Sequence, residues 1–203
     1  MKAGFIVECG PEGAEIKVIP HLARMIFPKA EIIEPIPGDK KPILKKDCGK
    51  WVTLLLGQGC DKVFIIWDLL PDWEEYEGKG CRHDDRKQIF DSLEKVGIKF
   101  DDPRICLICI EKMLEAWLLA DERVLSKFLS TDEHPVSVPR VKKPEREKDP
   151  KARLDSVFSQ FGIAVKGYTD VEHAIKIARS LENLKRLEKL KTFKRFRDKL
   201  IGG

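Results

Sequence analysis

The sequence predicts an α/β fold: a mainly parallel sheet covered by helices on both faces, with a helical C-terminal extension. Three observations predict it. Residues 3–8 and 63–68 are each a short, nearly continuous apolar run that stops at a carboxylate, Glu8 and Asp68. Runs of this length, rich in Val, Ile and Phe, read as strands buried on both faces. A third run, residues 105–110, stops at Glu111, and strand and helix patterns alternate as far as residue 129.

The elements follow in order. After Glu8, the loop Cys-Gly-Pro-Glu-Gly leads into a helix with Ile16, Ile19, Leu22 and Met25 about one turn apart. Pro20 is expected to kink or split it. This loop matches no phosphate-binding fingerprint, so a nucleotide module built on Gly10 and Gly13 is the weakest of the readings. Residues 31–36 read as a second strand, with Pro35 marking a sheet edge or a strand end. A helix over 45–56 ends at Gly57-Gln-Gly59. After the strand 63–68 comes a long acidic loop, then a helix over 82–96 closed by Gly97.

Residues 111–129 read as one helix with almost no polar face, hence buried. Glu115 and Asp121 sit inside that apolar run. A buried carboxylate is costly unless it is paired, hydrogen-bonded or bound to metal, so Glu115 either pairs with Arg82 or Arg86 or serves a site. Residues 130–151 carry four prolines and a series of basic side chains, the mark of an extended, mobile connection. Helices are expected over 151–161, 170–181 and 193–200, with Asp170 and Thr192 as N-caps. Phe193, Phe196 and Leu200 form one apolar stripe, so the tail is expected to pack back on the sheet. The organisation is therefore 1–129 as the α/β domain, 130–151 as connection, and 152–203 as helical extension of the same domain.

No apolar stretch approaches the roughly 18 residues of a membrane span. Six dispersed cysteines and the absence of a signal peptide point to reduced thiols in the cytoplasm. Cys106 and Cys109 have an odd spacing within a strand, which puts them on opposite faces and excludes a shared metal. No dinucleotide or Walker pattern exists. Charge is uneven. Residues 139–203 hold 18 Lys and Arg against 9 Asp and Glu, whereas residues 1–138 hold 20 against 25. The basic part reads either as solvated helix faces or as a surface for a polyanion.

Parallel strands place their carboxyl ends on one rim, where open α/β sheets bind ligands. Glu8, Asp68 and Glu111 are expected at that rim, with Asp72, Glu115 and Asp121 nearby. A strand-terminal acid on its own commonly caps the next helix. Several gathered together repel, and a divalent cation relieves them.

The pattern resembles the TOPRIM domain and, more closely, the TOPRIM-like domain-of-unknown-function family DUF4276. The matching motifs are Ile6-Val-Glu8, Ile65-Ile-Trp-Asp68, Cys81-Arg with Asp85-Arg86, Glu115-Ala-Trp-Leu-Leu-Ala-Asp121 and Phe193-Lys-Arg-Phe196. The resemblance implies a compact α/β fold and a Mg²⁺ or Mn²⁺ site. Catalysis would fall to Glu8, Asp68 and Glu115. Metal binding would fall to Glu8, Asp68, Asp72 and Glu111, supported by Asp121, Arg82 and Arg86. Lys142, Lys143, Lys194, Arg195 and Arg197 would hold nucleic acid. The implied activity is phosphodiester cleavage, in prokaryotic defence alongside an ATPase. A non-catalytic adaptor for an ATPase partner or nucleic acid is the second reading. It is favoured by the spacing Asp68-Leu-Leu-Pro-Asp72, which is wider than the Asp-x-Asp of TOPRIM.

Overall fold

The computed structural model describes residues 1–70, 81–162 and 167–202. Five strands form one parallel sheet: β1 (Lys2–Val7), β2 (Glu31–Ile32), β3 (Ile36–Pro37), β4 (Lys62–Asp68) and β5 (Ile105–Ile110). The order is β2-β1-β4-β5, and β3 also pairs with β1. The expected strand over 31–36 is thus two short pieces on one edge. Lys2 faces Glu31 in the first piece and Val7 faces Pro37 in the second. Pro35 lies between them and cannot donate to the ladder, as an edge position tolerates.

Helices cover both faces. On one side, α2 (Lys41–Gly57) and α3 (Arg82–Glu94) pack on Ile6, Val63, Ile65, Trp67 and Cys109. Gly49 lets them approach closely, since a Cβ there would stand 2.2 Å from the Ser92 carbonyl oxygen. The other face carries α1 (Ala14–Ile26), α4 (Glu115–Leu118), α5 (Glu122–Leu129), α6 (Pro150–Phe161), α7 (Ile175–Arg179) and α8 (Lys191–Ile201). Cys106 belongs to this second core and Cys109 to the first, so the two thiols do lie on opposite faces.

Pro20 does not split α1, which runs unbroken through it. One lost hydrogen bond is outweighed by the fully buried row Val18, Ile19, Leu22 and Ala23. The expected single helix over 111–129 is broken twice. Lys112 takes a left-handed backbone, φ 69°, directly after β5. Asp121 then adopts an extended backbone and caps α5, its carboxylate accepting the Arg123 N–H at 3.2 Å. An Asp competes with helical bonding in this way, so the apolar run on either side is buried without being one helix.

The C-terminal stripe packs as its spacing predicts. Phe196 lies 5.8 Å from Phe64 and 6.3 Å from Phe5, ring centre to ring centre, and Trp117 stands edge-on to Phe193 at 5.1 Å. Thr192 is not the N-cap of α8, because it already lies in the first turn. The cap comes from Glu145, whose carboxylate accepts the Lys191 and Thr192 N–H groups at 3.0 and 2.9 Å. Asp170 is likewise not a cap. It opens a π-helical turn, Asp170–Ala174, that precedes α7. The connection over 130–151 is irregular but not loose, for Val138, Val141 and Pro144 are buried.

Candidate functional site

The crossovers decide where a ligand would sit. From β1 the chain passes through α1 to β2 on one side; from β4 it passes through α3 to β5 on the other. The two helices cover opposite faces, so the carboxyl ends of β1 and β4 flank a crevice at the topological switch point. Glu8 follows β1 and Asp68 ends β4. The Glu8 carboxylate accepts the Asp68 backbone N–H at 3.1 Å. One Asp68 oxygen accepts the Leu114 N–H at 3.4 Å, a long bond.

A cleft of about 810 Å³ opens over this pair. Glu8, Glu15, Asp39, Asp68, Glu115, Asp149, Asp155 and Asp170 contribute carboxylates to its lining, and Lys40 and Lys151 contribute cations. Tyr168 is buried and donates to Glu115 at 3.3 Å; its backbone N–H donates to Asp155 at 2.8 Å. Lys151 pairs with Asp170 at 2.9 Å. The wall opposite the sheet is therefore built by α6 and the π turn, residues some 80 to 100 positions from Asp68 and some 140 to 160 from Glu8 in sequence.

Burial governs the electrostatics here. It raises the Asp68 carboxyl well above the usual carboxylate range, and the charges of Glu15, Glu8 and Glu115 raise it further. Burial also pushes Glu15 up to about 7, with Glu115 adding to it. Glu115, 6% exposed, is raised mainly by burial. Asp170 is the exception: burial would raise it, but the Lys151 hydrogen bond and charge hold it below the usual range. Burial, and after it the Glu15 charge, push the Cys9 thiol up, away from the thiolate a nucleophile needs.

The predicted residues divide. Glu8, Asp68 and Glu115 all line the cleft. Glu111 does not; it pairs with Arg82 at 2.6 Å. Asp121 pairs with Arg123 at 2.7 Å, and Arg86 lies 5.7 Å above the Phe90 ring. Asp72 falls outside the described residues. Arg197 is engaged by Glu188 at 3.1 Å and Asp198 at 2.7 Å, while Lys142, Lys143, Lys194 and Arg195 are exposed. Glu15, Lys151, Tyr168 and Asp170 were not anticipated. An acid in the first turn of a helix ordinarily complements the helix dipole, so Glu15 carries no signal of its own.

A family model for the domain of unknown function DUF4276 matches residues 13–201. The chain belongs to the DUF4276 family. No curated protein and no solved structure matches it. The matched span takes in α1 with Glu15, the end of β4 with Asp68, and the whole C-terminal wall of the cleft. This member of DUF4276 has no helix, among the described residues, long and apolar enough to cross a membrane.

The oxygen donors suit a hard divalent cation, which commonly takes one or two carboxylates and completes its shell with water and substrate oxygens. Among the described residues no three acidic, His or Cys side chains are placed to hold a metal ion together. An ion held by Glu8 and Asp68 would keep open positions of this kind.

Proposed function

We propose that the cleft holds Mg²⁺ or Mn²⁺ and hydrolyses a phosphodiester of nucleic acid. The observation that carries this reading is Asp68. It is a crowded carboxylate at the switch point, with, among the described residues, only one long hydrogen bond to its side chain, beside three other acids. A purely structural carboxylate is paired with a cation or well hydrogen-bonded. An arrangement that costs stability and gathers oxygen donors at a ligand edge is expected of a binding site.

Glu8 and Asp68 are the residues to hold the ion. When bound, the ion polarises a phosphoryl oxygen and lowers the pKa of a coordinated water. Glu15, with its carboxyl poised at about 7, is suited to hold or accept a proton near neutral pH. Tyr168 fixes the Glu115 carboxyl through its hydroxyl. We place the protein in a reducing cytoplasm, in keeping with six free thiols among the described residues.

The test is hydrolysis of a chromogenic phosphodiester and of labelled DNA and RNA with Mn²⁺. Asp68→Asn is expected to remove cleavage while the protein stays folded. Undiminished cleavage in that variant would contradict the assignment. A non-catalytic adaptor for an ATPase is the second reading, supported by the wide Asp68-Leu-Leu-Pro-Asp72 spacing. It expects no divalent binding that depends on Asp68.

A further inference from the structure

The Glu145 cap has an electrostatic consequence. By closing on the first turn of α8, it brings two basic stretches side by side. Lys142, Lys143 and Arg146 come from the connection, and Lys191, Lys194 and Arg195 from the helix. All six side chains are exposed, and among the described residues none is in an ion pair. The clasp is anchored, because Thr192 Oγ1 donates to Glu145 at 2.5 Å and accepts the buried Trp117 indole N–H at 2.9 Å. The acid between the two stretches is thus bonded to helix N–H groups and, among the described residues, forms no ion pair with these basic side chains.

One end of this surface lies near the cleft. Arg146 is three residues from Asp149, which lines the cleft, so their Cα atoms are at most about 11 Å apart. We propose that this composite basic face holds the sugar–phosphate backbone of a nucleic-acid strand beside the acidic crevice. The proposal rests on the reading that the cleft acts on a nucleic-acid phosphodiester. The division of labour follows from charge. A cleft lined by eight carboxylates and two lysines repels a polyanion, so affinity has to come from a cationic surface next to it. An anionic membrane is the less suitable partner. Among the described residues the exposed large apolar side chains are Ile43, Leu54, Val96, Phe100, Val171 and Ile201, none of them within either basic stretch. Membrane-surface elements need apolar side chains to insert.

The test reads binding without cleavage. Anisotropy of labelled DNA and RNA oligonucleotides of about 20 nucleotides is titrated in EDTA at several salt concentrations, where each lost phosphate contact flattens the salt slope by about 0.7 to 0.9. The triple variant Lys143→Glu, Lys194→Glu, Arg195→Glu is expected to bind at least about tenfold more weakly, with a slope flatter by about 2. Lys87→Glu, Lys95→Glu, Lys99→Glu makes the same charge change on and just beyond α3, on the opposite face, and is expected to stay within about twofold. Equal weakening in both triples would overturn the proposal, since net charge alone would then explain it. So would no oligonucleotide binding by the wild type, or binding only to phosphatidylserine vesicles. Intact oligonucleotide binding with no divalent-ion binding would sink the metal reading and leave this surface standing.

Discussion

The carboxylate of Glu8 accepts a hydrogen bond from the backbone N–H of Asp68 at 3.1 Å. The two residues are 60 positions apart, and parallel pairing of β1 with β4, Val7 opposite Ile66, brings them together. The backbone bond fixes the spacing of two acids that would otherwise move apart. Their mutual repulsion is therefore built into the fold.

Removing one of these charges should stabilise the protein. Asp68→Asn is expected to raise the free energy of unfolding by about 1–3 kcal/mol at pH 8 in EDTA, because the buried carboxylate is costly when ionised. Denaturant unfolding measures it. A loss of stability would mean that Asp68 serves the fold.

Stability without metal should fall as pH rises. The folded-state carboxyl of Glu15 lies at about 7 against an ordinary 4.5, so the folded protein binds more protons than the unfolded chain between those values. The contribution is full below about pH 4.5 and is lost as pH rises through about 7. Its size is about 1–3 kcal/mol. Thermal melts from pH 5 to 8 should show the decline, and Glu15→Gln should flatten it. An unchanged slope in that variant would exclude Glu15 as the source.

The opposite face holds a buried ion pair with a structural role. Lys45 lies 3.1 Å from Asp85, which also accepts the Trp67 indole N–H at 3.1 Å. Asp85→Ala takes the carboxylate from the buried Lys45 ammonium and from the Trp67 indole, and is expected to cost about 3–5 kcal/mol. Divalent-ion affinity of the folded fraction should be unchanged, measured by calorimetry at a temperature where the variant is folded.

Phe196 tests whether the C-terminal helix is part of the core. It is fully buried against Phe5, Phe64 and Trp117. Phe196→Ala is expected to lower stability by about 3–5 kcal/mol in a single cooperative transition. Loss of α8 alone, with the sheet still protected from hydrogen exchange, would contradict this.

The sequence made the sheet legible because β1 and β4 are buried on both faces, β5 is buried on one and partly on the other, and all three carry unbroken apolar runs. That periodicity also gave Glu8 and Asp68, since both sit where a run stops. The break at Asp121 was hidden because apolar residues surround it and the local cap overrides the helical pattern. Lys151, Tyr168 and Asp170 were hidden for another reason. They reach the cleft only through the packing of α6 on α4 and of the π turn on α1 and Phe158, a tertiary arrangement with no local signature.

The central claim is a divalent site built on Glu8 and Asp68. Calorimetric titration of Mn²⁺ into the wild type, Asp68→Asn and Glu8→Gln tests it without any assumption about substrate. The account predicts saturable binding by the wild type, lost or weakened at least about tenfold in each variant, a difference of about 1.4 kcal/mol or more. Binding of equal strength in all three proteins would contradict it.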